Sequence, residues 1–411
     1  MLRQINRYQK YILKMRRIIL ITLSVFIFSC GSNPGIKQIS STIKPKEIRL
    51  VSGTDSIITK ISEVASDIEY IPLQTSANTR IRAIDKIITR GNKFYINVVS
   101  DIFCFDEKGH FINQLYGNGK DKGSNVVAIY DFDIDIGTVD TSLIVLYGNK
   151  LLLFKNTGSG FEYINTIKLG RISPSKLDFV PGVDKVLLSY SRIKGYESSF
   201  NMLINFAGDT LTFKPYNFRS YNSKWFNPIK NKLWDDFIHY RYEDKLYFKE
   251  KFKDTVFSIN AESNSFIPCL ILNSHLSSTN SENLNNPDYI KILPFVTSIL
   301  ETPGYLYYSY FFRQNHKVFY DKYENRKYEI DPGSGVLKDD IGGGPGFDPK
   351  FCSEGKMYSW IDARELKKYI RSDDFAKERV QNPKKQEDLK KLGLSIKDAD
   401  NPILVSVKLK N

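Results

Sequence analysis

The fold class predicted by this sequence is all-β: a six-bladed β-propeller, with a short helical insertion near the C-terminus before a closing strand. Three observations predict it. Aromatic residues make up 13% of the chain, with 25 Tyr and 27 Phe against only 4 Met. Such side chains suit the pleated, half-buried surface of strands. Short alternating runs broken by Gly, Asp and Asn return about every 50 residues, the period of a four-stranded propeller blade. Strand-like runs also stand near both ends of the chain, where a closed ring needs them.

The repeat is clearest in "IFCFDEKGHFINQLYG", Ile102 to Gly117. It alternates apolar and polar, breaks at Asp106-Glu107-Lys108-Gly109, and alternates again, which is the pattern of a hairpin. Gly109 can take the positive φ such a turn needs. "LLLFKNTGSGFEYINTI" repeats the pattern around Gly158, and "MLINFAGDTLTF" repeats it around Gly208. "VFSINAESNSFIPCLIL" and "VFYDKYENRKYEI" carry it without the glycine, at Ser263 and Glu324. Before each turn lies a further strand ending near Tyr or Phe: "KFYINV", "SLIVLY", "KVLLSY", "KLYFKE" and "YLYYSYFF". "GKMYSWI", from Gly355, supplies a sixth signal. The competing arrangement is a large sandwich or two smaller β domains.

Both edges of such a ring need partners, because an unpaired edge invites aggregation. Asp67–Leu73 and Pro402–Leu409 are expected to meet in one blade and close it. Between Asp362 and that last strand, about 363–396, lies the one helical pattern, which Pro383 should divide. Its Lys, Arg, Asp and Glu read as a solvated face.

The N-terminus reads as an address. "RRIILITLSVFIFSCGSNP" follows Lys14 with Arg16 and Arg17, runs apolar from Ile18 to Phe28, and ends at Ser29-Cys30. That run is too short to span a bilayer, which takes roughly 20 apolar residues. A basic start, an apolar middle and a small residue before the cut define a secretory signal peptide. Residues 1–29 are therefore expected to leave, and residues 30–45 to form a flexible tether rich in Gly, Ser, Pro and Lys. The propeller is expected over 46–411. Met15 offers a second start. The formal net charge of +13 overstates the basic character, since Arg3, Arg7, Lys10, Lys14, Arg16 and Arg17 lie in the segment that leaves.

Two resemblances follow from these residues. Ile27-Phe28-Ser29-Cys30 resembles the lipobox of bacterial lipoproteins, in which a diacylglycerol is attached to the cysteine thiol, and the resemblance implies a lipid on Cys30; Phe28 is larger than the usual residue at its place. "SDIEYIPLQTS" (Ser66 to Ser76), "IFCFDEKGHFINQLYG", "YDFDID" (Tyr130 to Asp135), "DIGGGPGFDP" (Asp340 to Pro349) and "DADNPILVSVKLK" (Asp398 to Lys410) together resemble the six-bladed β-propeller lipoproteins of Gram-negative bacteria, relatives in shape of NHL-repeat propellers. The resemblance implies a cell-envelope location and a propeller, with no settled activity; the location expected is that of an outer-membrane lipoprotein, periplasm-facing or surface-exposed. The Gly-Pro-Gly-Glu-Tyr-like loop of that family is replaced here by Asn118 to Asn125.

Composition excludes several functions. No stripe of Lys and Arg with interleaved aromatics exists, so nucleic acid is not an expected partner. No C-x-x-C pair occurs, which excludes a zinc ribbon, and Cys104, Cys269 and Cys352 are expected as small apolar residues. There is no G-x-S-x-G elbow, and "GGGPGF" (Gly342 to Phe347) lacks the Lys-Ser or Lys-Thr of a phosphate loop. It reads as an inter-blade loop with Phe347 packed between blades. The four histidines, His110, His239, His275 and His316, show no metal spacing and read as exposed loop residues; His239 and His316 fall in different units and could converge.

Two candidate sites remain. In "DFDIDIGTVDTS", Asp131, Asp133 and Asp135 alternate, with Phe132, Ile134 and Ile136 turned to the core. The glycine falls one place late for an EF-hand and no Glu closes the loop, but three carboxylates facing the central channel could hold calcium. In "YNFRSYNSKWFNPIKNKLWDDFIHY", Tyr216 to Tyr240, Trp225 and Trp234 are two of only three Trp. Aromatic side chains on a long connection suit a sugar, a peptide or a protein. The expected function is an envelope-anchored binding or scaffold module for a peptide, glycan or envelope protein, without cofactor. The alternative is a metal-dependent lyase or lactonase-like hydrolase with its site in the channel.

Overall fold

The computed structural model describes residues 45–51, 53–115, 129–136, 141–157, 160–191, 199–216, 237–274 and 294–410. Cys30, the signal and tether segments, Gly158, Trp225, Trp234, His275 and the 118–125 loop lie outside the described residues. Over Pro45–Asn411 the described strands form six sheets. Each holds an antiparallel blade of four strands, two of the sheets carry a fifth strand, and the ring is a six-bladed propeller, as the repeat predicts.

Blade 1 runs Lys86–Arg90, Lys93–Val98, Asp101–Asp106 and Phe111–Leu115. Blade 2 runs Asp131–Ile136, Thr141–Tyr147, Lys150–Asn156 and Phe161–Lys168. Blade 3 runs Lys176–Phe179, Lys185–Tyr190, Ser199–Asn205 and Thr210–Tyr216. Blade 4 begins with Phe237–Tyr242 and ends with Ser265–Asn273, and blade 5 begins with Phe295–Glu301 and ends with Arg326–Ile330. In blade 6, Phe351–Ser353 and Lys356–Ile361 are followed by Ile403–Leu409, which pairs antiparallel with the N-terminal strand Ala65–Pro72. The closure expected of Asp67–Leu73 and Pro402–Leu409 is therefore present.

The repeat reaches into backbone detail. In blades 1 to 4 the register of the last two strands slips by one residue at Cys104/Phe105, Leu153/Phe154, Leu203/Ile204 and Val256/Phe257. A bulge at a fixed place sharpens the local twist and aims each outer hairpin. Where the repeat keeps its glycine, Gly109 and Gly208 take φ of 84° and 90°. Where the glycine is lost, Asn264 and Asn325 take the left-handed conformation at 52° and 57°, because Asn tolerates it best among residues with a Cβ.

The apolar core is one layer between each pair of blades. Leu143 and Val145 pack toward blade 1, while Ile144 and Leu146 pack toward blade 3. Successive side chains point to opposite faces, so a blade buried on both faces needs the continuous apolar run seen in "SLIVLY". Phe347 packs with Tyr305, Tyr307 and Phe319 of blade 5 and Val407 of blade 6, as expected for an inter-blade residue. The glycines before it wrap Asp339. That carboxylate is fully buried and accepts from the backbone N–H of Ile341, Gly342 and Gly344 and from Tyr70 Oη.

Two features correct the sequence reading. The helical stretch is three pieces, Ala363–Ile370, Asp373–Lys377 and Pro383–Ser395. Pro383 opens the last helix rather than merely dividing one, since a first-turn proline loses no helical hydrogen bond. Ser372 makes the additional break, its Oγ accepting from Phe375 N. Second, the chain lays down two strands before the closing one. Lys46–Arg49 adds in parallel to the outer edge of blade 4, and Ser56–Ile58 adds in parallel to that of blade 5.

Candidate functional site

The first strand of each blade lines the channel, and those of blades 1 to 4 carry charge. Lys86 opens its strand and Asp131 opens the next, so they meet at 2.7 Å. Asp131 also accepts from Leu177 N at 2.9 Å, and Asp133 accepts from Phe179 N at 2.8 Å. Arg241 of blade 4 reaches back across the channel to Asp133 and to the carbonyl of Phe179. The expectation that Phe132 and Ile134 face the core while the aspartates share the other face is met: both apolar side chains are fully buried. The carboxylates of Asp131 and Asp133 are committed to protein cations and amides. Among the described residues no group of three or more His, Cys, Asp or Glu is arranged to hold a metal ion.

Beside them lies a cluster that sequence spacing did not reveal. His239 Nδ1 stands 2.6 Å from Asp178 Oδ2, and its Nε2 stands 2.7 Å from Ser189 Oγ. Ser189 in turn donates to Asn201 Oδ1 on the facing strand. His239 is a buried channel residue, not an exposed loop residue. Burial would raise Asp178, but Lys86, His239 and Arg241 outweigh it and hold the carboxyl well below its ordinary range. The residue types are those of a nucleophilic triad, yet Ser189 is 0% exposed. Its oxygen is sealed, and the trio straps blade 4 to blade 3. The only available signal was separation by one blade period: Ser189 and His239 lie 50 residues apart.

The other histidines go elsewhere. His316 binds Glu329 at 2.6 Å and stacks on Tyr310 within blade 5, so it does not converge with His239. His110 is an exposed turn residue, as expected. Cys104 is wholly buried and Cys269 and Cys352 are half-buried; burial pushes each thiol up to about 11.

At one end of the channel the turns between first and second strands of blades 1, 3, 4, 5 and 6, with Asp135 of blade 2, surround a cavity of about 740 Å³. Its wall includes Thr89 and Arg90 of blade 1, Asp135 of blade 2, Pro181 and Gly182 of blade 3, Arg241 to Asp244 of blade 4, Glu301 and Pro303 of blade 5, and Cys352 to Gly355 of blade 6. All six blades contribute. Of the sequence candidates among the described residues, Asp135 alone lies in this wall, where burial raises its pKa against the pull of Arg241. Arg90 and Arg241 were not foreseen, because nothing in either strand distinguishes them from surface arginines.

Comparison with known proteins gives the same architecture. The chain is similar to the crystal structure of a presumed exported protein of Bacteroides fragilis, at 16% identity and a TM-score of 0.63, over 89% of this chain and 99% of that one. It is less similar to the WD40 repeats of RRP9 (9% identity, TM-score 0.40, 86% of this chain and 100% of that one). The WD40 domain of Neurospora crassa Pan2 stands at 7% identity and a TM-score of 0.35, over 60% and 64%. No curated protein matches the chain. A family model matches residues 46–408, nearly the whole propeller, and the chain belongs to that family, described as a domain of unknown function (DUF4934).

Proposed function

We propose that this protein is an envelope-anchored lipoprotein whose propeller is a binding or scaffold module for a peptide, glycan or protein partner. In this reading the channel-mouth cavity is the recognition site and Cys30 carries the lipid. The observation that carries it is the cavity itself: about 740 Å³, with residues of all six blades in its wall. Ligand sites fall in this size range and sit where rigid elements converge. The similarity to a presumed exported protein supports export, as does the Arg16–Cys30 segment.

The test is a thermal-shift screen of short peptides and envelope glycan fragments on the full-length chain in detergent, beside Pro303→Trp. Pro303 lines the cavity and is exposed, so an indole there fills the mouth without entering the core. Hits should raise Tm in the parent and lose that effect in the variant. Hits that survive Pro303→Trp would move recognition away from the cavity.

A further inference from the structure

The cavity wall carries its own ligand chemistry, and this inference rests on the reading of the cavity as the recognition site. The floor is a pair of arginines. Arg241 Nη2 donates to Asp133 and, at 2.7 Å, to Phe179 O. Arg90 Nη1 donates to Thr89 O at 2.8 Å, and its Nη2 stands 3.8 Å from the same Asp133. Two guanidinium groups thus share one carboxylate whose side chain is 1% exposed. A guanidinium carries five donors, and these two leave donors over. Arg241 Nε is buried without an acceptor, and so is Thr89 Oγ1, on a residue only 4% exposed. Those two atoms are sealed, but the Arg90 side chain is 22% exposed and lines the cavity, so its spare donors are the ones another molecule's polar atoms can reach. Arg90 is held below its ordinary range, first by burial and then by the like charge of Arg241, which an added anion would relieve.

The rim has the opposite sign. Glu243, Asp244 and Glu354 stand exposed at the turn tips, and among the described residues none has a cationic partner. Glu301, deeper in, is paired with Lys322 at 2.7 Å. A multiply charged anion must pass three carboxylates to reach the arginines. A molecule carrying one carboxylate and one ammonium gains at both levels.

We propose that the cavity binds a small zwitterion of the amino-acid or short-peptide class, its carboxylate on Arg90 and its ammonium at Glu243, Asp244 and Glu354. The probe is the dipeptide Ala-Ala, titrated calorimetrically into the full-length chain in detergent. Its C-terminal amide, its N-acetyl form and inorganic phosphate are run beside it. Ala-Ala should bind at least about tenfold tighter than either blocked form or phosphate, the scale of losing one charge-assisted contact. Arg90→Gln should lose about tenfold for Ala-Ala and leave the amide unchanged. Asp244→Asn/Glu354→Gln alters only exposed side chains and so tests the rim without risk to folding; it should bring the N-acetyl form level with Ala-Ala. N-acetyl-Ala-Ala or phosphate binding best would overturn the zwitterion in favour of a plain anion, and the amide binding best would overturn it in favour of a cation. No binding by any probe would overturn it as well. In each of those cases hits abolished by Pro303→Trp would keep the cavity as the recognition site.

Discussion

Gly109 shows how one residue serves two levels of structure. Its φ of +84° suits the blade 1 hairpin, and a Cβ there would stand 2.2 Å from the carbonyl oxygen of Pro72. Gln74 N donates to Gly109 O at 2.8 Å. The hairpin of the first blade is thus pressed onto the chain leaving the closing strand. The turn was legible in the sequence, because Gly after Asp-Glu-Lys between alternating runs has few other readings. The close approach was not, because it depends on a residue in another blade. Gly148 has a similar φ, +55°, with nothing within 4 Å of its would-be Cβ. Gly148→Ala should therefore cost only backbone strain, about 1 kcal/mol, and Gly109→Ala more than about 3 kcal/mol, since the carbonyl must also move. Denaturant unfolding of both variants measures the difference, and equal costs would mean that the hairpin is not pressed against Pro72.

Among the elements, the two parallel strands before the closing one are the unforeseen ones. "KEIR" and "SII" are too short to show a period, and short apolar runs are ambiguous by pattern alone. Their place is set by what they cover: the outer edges of blades 4 and 5, which would otherwise expose unpaired backbone groups. Alternation still governs their side chains. Ile58 is 3% exposed and packs with Phe319 and Leu337, while its neighbour Ile57 is 58% exposed. Ile58→Ala should cost about 2–5 kcal/mol, and Ile57→Ala less than about 0.5 kcal/mol. A comparable cost at both sites would mean that the strand does not dock in this register. The long strands of the blades were legible for the opposite reason. Runs such as "SLIVLY" are apolar on both faces, and only a strand sandwiched between two neighbours needs that. The channel cluster was hidden because Lys86, Asp133, Asp178, His239 and Arg241 meet across blades, where no local spacing records the contact.

Stability lies in six inter-blade layers rather than one centre, and those layers, with the helical insertion, hold many phenols. Burial pushes Tyr190, Tyr247, Tyr305, Tyr310, Tyr358 and Tyr369 up to about 12, and raises others further. An unfolded tyrosine ionises near its ordinary value of 10.0. Below pH 10 both states hold these protons, and the phenols add no pH dependence. Between about 10 and 12 the unfolded chain releases protons that the native chain must keep, so stability falls as pH rises. The three thiols, pushed up to about 11, begin the same loss from their ordinary 9.0. Lys249 acts in the other sense. Burial lowers it to about 8 from 10.5, so across that window the unfolded chain holds the extra proton and stability rises with pH. One amine cannot offset six phenols and three thiols, and the sum is a protein that unfolds sharply above pH 10. Phenolate absorbance should then appear in a single cooperative step together with loss of the β-sheet circular dichroism. Phenolate signal growing smoothly from pH 10 with the sheet signal intact would mean that these rings reach solvent in the native ring and that the inter-blade layers are looser than the packing described.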